Sequence, residues 1–198
     1  MAKKESTFAN MVSTLLIITA VAALTLSMVY NVTKGPIERG RYERKQAAIS
    51  FVVPEFDQLK TKMFMPVDGR DSLEFNFAYK NGELVGVAVQ TYTTTGFSGL
   101  ITAMVGFYPD GTIYDVVHLQ HAETPGLGDK IQKDKSDWSD QFRNFDPSEQ
   151  DLRLKQDQGD VDGIAAATIT ARAYCDAIKR AYLTLKENLN EEFFELNE

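Results

Sequence analysis

The sequence predicts an α+β protein in which one N-terminal transmembrane helix precedes a single domain built on an antiparallel sheet flanked by helices. Three observations carry this. No charged residue occurs between Glu5 and Lys34. Two pairs of β-patterned runs are each joined by a strong turn signal. Apolar residues recur at helical spacing from Tyr174 to Leu189.

The membrane element comes first. Phe8 to Tyr30 is rich in Leu, Ile, Val, Ala and Met, and a helix of about 20 such residues covers the roughly 30 Å hydrocarbon layer. Its Ser13, Thr14, Thr19, Thr25 and Ser27 are tolerable there, because a hydroxyl can bond back to its own helix. A cleaved signal peptide is the rival reading, since Lys3 and Lys4 make a basic start and Ala20-Val21-Ala22 resembles a cleavage site. The apolar run continues past that site through Leu24, Leu26, Met28 and Val29, as an anchor requires. Pro36 suits a helix first turn, so Ile37 to Val53 reads as a charged stalk helix that stops before Pro54.

Strand patterns follow. Leu73 to Tyr79 and Leu84 to Thr91 flank Asn81-Gly82, a hairpin dipeptide whose residues tolerate the positive φ of a type I′ turn. Leu100 to Tyr108 and Thr112 to Gln120 flank Pro109-Asp110-Gly111. Two hairpins predict a four-stranded antiparallel sheet. A helix near Ser136 to Phe142, with Trp138 and Phe142 four apart, and the final helix with Tyr174, Ile178, Ala181, Tyr182, Leu185 and Leu189 would cover one face. The chain thus divides into residues 1–33 (tip and membrane helix), 34–70 (stalk helix and loop), 71–190 (folded domain) and 191–198 (acidic tail).

A net charge of −7, with no basic patch interleaved with aromatics, argues against a nucleic-acid partner. The single cysteine, Cys175, excludes an intramolecular disulfide and sits on the helix stripe as a packing residue. The end, Glu187 to Glu198, mixes Glu with Phe193 and Phe194 and reads as a solvated tail whose aromatic pair could dock on a neighbour.

Three stretches could carry chemistry. Gly96-Phe97-Ser98-Gly99 lacks the second glycine of a Gly-x-Ser-x-Gly nucleophile elbow and joins strand to strand, so it reads as a tight turn rather than a hydrolase site. His118, His121 and Glu123 do not share one face of a strand, and no metal site is expected. Glu123-Thr124-Pro125-Gly126-Leu127-Gly128 is a loop whose backbone N–H groups can approach a ligand closely while Leu127 packs on a flat ring. Finally, Thr168 and Thr170 stand at the mouth of the last helix, where unpaired N–H groups and the positive dipole end favour a phosphate. Taken alone, two such hydroxyls read as an ordinary helix cap.

The string Asp162-Gly163-Ile164-Ala165-Ala166-Ala167-Thr168-Ile169-Thr170 resembles the D-x-x-[S/T]-G-A-[S/T]-x-T signature of proteins that carry FMN covalently through a phosphoester to the last threonine. Asp162 takes the aspartate position, Ala167 the alanine, Thr168 the first hydroxyl and Thr170 the flavin-bearing one; Ala165 and Ala166 depart from the hydroxyl and glycine of the pattern. Gly-Phe-Ser-Gly, His-Ala-Glu-Thr-Pro-Gly-Leu-Gly and Ala-Thr-Ile-Thr, in that order after one membrane helix, resemble the G subunits of Rnf ferredoxin:NAD oxidoreductase complexes. The related C subunits of sodium-pumping NADH:quinone oxidoreductases share these elements on generally longer chains.

The resemblance implies an FMN-binding domain and a membrane-anchored electron carrier. FMN would be esterified to Thr170, with helix N–H groups and Thr168 around the phosphate and Ala167 and Asp162 also among the cofactor-binding residues. Glu123, Thr124, Gly126, Leu127 and Gly128 would line the ring or ribityl chain, Ser98 and Gly99 would close the pocket, and Lys130 or Lys155 would offer a cation to the pyrimidine end. Implied partners are the other members of the complex and a flavin transferase using FAD. The implied location is the bacterial inner membrane, with Met1 to Glu5 cytoplasmic and the domain on the outer, periplasmic face. The basic cluster Lys34, Arg39, Arg41, Arg44 and Lys45 by itself argues for a cytoplasmic domain, although large domains translocate despite their charges. The alternatives are a flavin-free tethered interaction module and the C subunit of a sodium-pumping NADH:quinone oxidoreductase.

Overall fold

A computed structural model describes residues 7–66, 68 and 71–195, with side chains up to Asn188; the expectations for Met1 to Glu5, for Leu189 and for the aromatic pair of the tail lie outside what is described. The chain forms two compact units, one ending at Arg44 and one running from Lys45 to Glu198.

Helix α1 spans Phe8–Val52 as one element and continues through Pro36. The expectation of a separate stalk helix starting at Pro36 is therefore corrected. The missing proline N–H removes one rung of the ladder, yet the helix runs on across it and across the neighbouring Gly35. Within the first unit, an 18-residue window of mean hydropathy 2.2 has none of its residues buried, which separates it from a soluble core helix. The hydroxyls of Ser13, Thr14, Thr19, Thr25 and Thr33 donate to carbonyls three or four residues back at 2.7–3.1 Å, so this apolar stretch leaves those polar groups satisfied internally.

The second unit is a five-stranded antiparallel meander in the order β1 Gln58–Phe64, β2 Leu73–Lys80, β3 Glu83–Gly96, β4 Gly99–Phe107 and β5 Ile113–Gln120. Strands β2 to β5 fall where the turn signals put them. Strand β1 occupies the span expected to be a loop. It is an edge strand in which exposed Gln58, Lys60, Thr61 and Met63 are mixed with half-buried Leu59, Lys62 and Phe64, a polar pattern that discourages further pairing and hides the strand from a hydrophobicity reading.

Alternation along the strands builds two cores. Leu73, Phe75, Phe77, Val87, Val89, Ile101, Ala103, Val105 and Phe107 face one way, against helix α2, Thr168–Glu195, whose Ala171, Tyr174, Ile178, Ala181 and Leu185 fill the other side. Ala78, Ala88 and Met104 face the opposite way and pack against Ala48, Ile49 and Val52 from the last turns of α1. Helices therefore cover both faces of the sheet, where one covered face was expected. Gly106 makes the second contact possible: a Cβ there would overlap the Val52 carbonyl. The Ser136 to Phe142 region forms a short 3-10 turn, Trp138–Phe142, with the two rings edge-to-face at 5.4 Å. Cys175 is buried in the α2 core, and burial pushes its thiol up to about 12, which fits a packing role.

Candidate functional site

Three pieces of backbone converge on one place. Strands β3 and β4 close as a tight hairpin in which Gly96 pairs with Gly99 across Phe97 and Ser98; Gly99 takes φ +97°, which a residue with a side chain rarely adopts. This confirms Gly-Phe-Ser-Gly as a turn. After β5 the chain winds round the Thr124 carbonyl, which accepts from Leu127 N at 3.2 Å and Gly128 N at 3.1 Å, and a short 3-10 turn, Gly128–Ile131, follows. Opposite both lies the start of α2. Its first ladder bond runs from Ala171 N to Ala167 O at 3.0 Å, so the N–H groups of Thr168, Ile169 and Thr170 point out of the helix end without a carbonyl in the ladder.

Between these pieces is a cleft of about 330 Å³ lined by Phe97, Glu123, Thr124, Leu127, Gly128 and the stretch from Ala166 to Thr170. Its floor is polar and its rim apolar. Thr170 is 1% exposed and its Oγ1 donates to Glu123 Oε2 at 2.6 Å, the length of a charge-assisted O–H···O bond. Glu123, 5% exposed, is fixed on its other oxygen by Ser98 N at 3.0 Å, and its own N–H donates to His121 Nδ1 at 3.0 Å. Two glycines wrap this carboxylate. A Cβ on Gly128 would stand 2.8 Å from both Glu123 Oε2 and Thr170 Oγ1, and one on Gly96 would stand 2.8 Å from Glu123 Oε1. At the rim, Phe97 is 66%, Ile169 50% and Leu127 40% exposed.

The sequence-expected residues separate into two groups. Thr170, Thr168, Ala167, Glu123, Thr124, Leu127 and Gly128 line the cleft. Ser98 contributes its backbone N–H to Glu123 rather than a wall. Gly126 has φ +78° and open space where a Cβ would go, so it serves the turn, while Gly128 is the glycine at the close approach. Asp162 and Lys155 do not line the cleft. They pair with each other at 2.8 Å on the surface, and Asp162 anchors its loop through Gln141 Oε1 and Trp138 Nε1. Lys130 and Gly99 also stand outside the lining, and no lysine or arginine is among the lining residues described. Within the described lining, the helix-end amides are the cleft's positive element. His121 is occupied by the loop, with Nε2 at 2.6 Å from Gln132 Nε2.

Sequence reasoning missed Phe97 and Ile169, whose exposed apolar side chains on a turn and a helix start were the available signal. It also missed the conformation of Ala166, which holds φ +62° where the flavin motif has glycine. The backbone takes a left-handed conformation here on a residue other than the glycine that adopts it easily.

This site fits a flavin phosphate. It offers a buried hydroxyl among unpaired helix-end amides, a glycine that keeps the approach open, and apolar walls at a volume within the range of ligand pockets, roughly 300–1,000 Å³.

Comparison with known proteins agrees with that chemistry. Residues 96–183 match the FMN-binding domain family. The G subunit of the ion-translocating oxidoreductase complex of Pasteurella multocida is 36% identical over 179 residues, covering 83% of this chain and 86% of that protein. The protein of the same name from Erwinia tasmaniensis is 32% identical over 183 residues, with 87% of each chain covered. That from Shewanella piezotolerans is 42% identical over 114 residues, 56% of this chain and 54% of its own.

Proposed function

This chain belongs to the family of G subunits of ion-translocating oxidoreductase complexes, and from that premise we propose that it carries electrons on an FMN joined by a phosphate ester to Thr170. It is a membrane-anchored flavoprotein that works with the other members of such a complex. FMN, when bound, supplies the one- and two-electron chemistry. The residues of this chain bind and orient it. The N–H groups of Thr168, Ile169 and Thr170, with the Thr168 hydroxyl, would hold the phosphate, Gly128 leaves room for it, and Phe97 and Leu127 would flank the ring system. The carrying observation is the Thr170 hydroxyl, buried on the floor of the cleft at the start of a long helix.

Maturation then needs a separate flavin transferase with FAD as the donor, and the domain faces the periplasm, where a dissociated FMN could not readily be replaced. The test is co-expression with the transferase, followed by denaturation. Yellow colour should stay with the unfolded wild-type chain and with Thr168→Ala at least in part, and should leave Thr170→Ala entirely. Colour retained by Thr170→Ala would move the ester to another residue, and a colourless wild type would favour a flavin-free tethered module.

A further inference from the structure

We propose that Glu123 is the base for its own chain's flavin attachment: it takes the proton from Thr170 as the ester forms and keeps it afterwards. This rests on the reading of Thr170 as the attachment residue. The observation behind it is a contact that a flavin-binding loop by itself does not require. Of all the hydrogen-bond acceptors in the cleft, the Thr170 hydroxyl is directed at a carboxylate, at 2.6 Å, and both groups are almost wholly buried. That carboxylate is held still. Ser98 N fixes Oε1, and Gly96 and Gly128 close in from two sides at distances that admit no side chain.

A threonine hydroxyl is a weak nucleophile until a neighbouring base accepts its proton, and the geometry meets the reach required of a base, about 2.6–3.2 Å. Thr170 Oγ1 attacks the flavin-bearing phosphorus of a flavin dinucleotide presented by the transferase. The new Oγ1–P bond replaces the P–O bond to the nucleoside monophosphate, which leaves with the electron pair. The proton moves from Oγ1 to Glu123 Oε2, and no atom changes oxidation state. Electrostatic repulsion favours the proton staying there. After attachment, Oγ1 has no hydrogen to donate, and an ionised Glu123 would face a phosphodiester anion in a site whose described lining holds no lysine or arginine. A carboxylic acid at Glu123 removes that repulsion and donates an O–H in place of the one it accepted.

The other titratable side chains near Glu123 do not take this role. His121 accepts the Glu123 backbone N–H through Nδ1, and Asp129, next to Gly128, is a second carboxylate outside the cleft lining.

The experiment uses full-length chain in detergent with purified transferase and FAD, and follows attachment by intact mass for wild type and Glu123→Gln across pH. The glutamine keeps the shape and can still accept from Ser98 N. Attachment should slow about a hundredfold or more. The ratio of wild-type to variant rates, in which the transferase's own titration cancels, should change with pH. In the flavinylated wild type, an infrared spectrum should show a protonated-carboxyl C=O band that is missing from the small fraction of Glu123→Gln that becomes loaded. A merely structural glutamate predicts equal rates, a flat ratio and no such band, and that result overturns the proposal. If Glu123→Gln does not fold, Glu123→Asp is read instead: slowed attachment with the band retained supports the base, and an unchanged rate overturns it. Flavin on Thr170 at equal rates removes only the role of Glu123, whereas a wild type without flavin on Thr170 removes the ester reading and this step together.

Discussion

Thr170 and Glu123 are 47 residues apart in sequence and share one hydrogen bond at the floor of the cleft. Each was visible in the sequence through its own motif, but their contact was not. It depends on how the turn after β5 is laid against the start of α2, which no local pattern encodes. The lysines show the converse. Lys130 and Lys155 are near the motifs in sequence, yet the second pairs with Asp162 and neither lines the cleft. Backbone geometry makes three positions testable. Ala166 sits at φ +62°, which costs a non-glycine residue about 1–2 kcal/mol; Ala166→Gly recovers this less roughly 0.4–1 kcal/mol of added unfolded-state entropy. A net gain of about 0.5–1 kcal/mol should raise the midpoint of a thermal melt by a few degrees, roughly 2–4 °C per kcal/mol for a chain this size. Gly128→Ala should abolish or strongly reduce flavin attachment, because its Cβ would meet Thr170 Oγ1 and Glu123 Oε2 at 2.8 Å. Gly126→Ala, with open space around it, should cost about 1 kcal/mol of stability through its positive φ and leave attachment near wild type, as intact mass and melting of the pair would record.

Among the elements, the hairpins were legible because Asn81-Gly82 and Pro109-Asp110-Gly111 mark turns by backbone chemistry rather than by hydrophobicity. Gly96-Phe97-Ser98-Gly99 was legible as a turn for the same reason. Strand β1 was hidden, since an edge strand needs only one paired side and here carries Lys60 and Lys62. The end of α1 was read as a stalk, but Ala48, Ile49 and Val52 bury themselves on the sheet face opposite α2, and Lys45 pairs with Glu74 at 2.5 Å. That docking turns on Gly106. Gly106→Ala drives a Cβ into the Val52 carbonyl and should destabilise the second unit by about 3 kcal/mol, the upper end of ordinary overpacking, with a lowered denaturant midpoint as the readout. An unchanged midpoint would mean that the last turn of α1 can lift from the sheet at little cost. Asp140, held below the usual carboxylate range by the hydrogen bond from Lys133, belongs to a partly exposed cluster with Arg143 and Asp115. Its contribution is present above the ordinary aspartate range and is lost as the pH falls through its own lowered value.

For the molecule as a whole, the fold class and the family were both accessible before the structure, because an uncharged N-terminal stretch, two hairpins and a pair of ordered motifs are all sequence-local. Which side of the membrane the domain occupies is not local, and here the basic cluster from Lys34 to Lys45 opposes what the proposed covalent cofactor favours. The expected outcome is a periplasmic domain: protease added to intact spheroplasts should digest it and leave an anchored N-terminal fragment, while a domain protected until the membrane is opened would reverse the orientation. One bond, between Thr170 and the flavin phosphate, carries the proposed function. Its most direct test is peptide mass mapping of protein taken from its native membrane. The peptide containing Thr170 should carry FMN less water, about 438 Da, localised to that residue by fragmentation. An unmodified Thr170 peptide, with the flavin on Thr168 or Ser98 or absent from the chain, would contradict it.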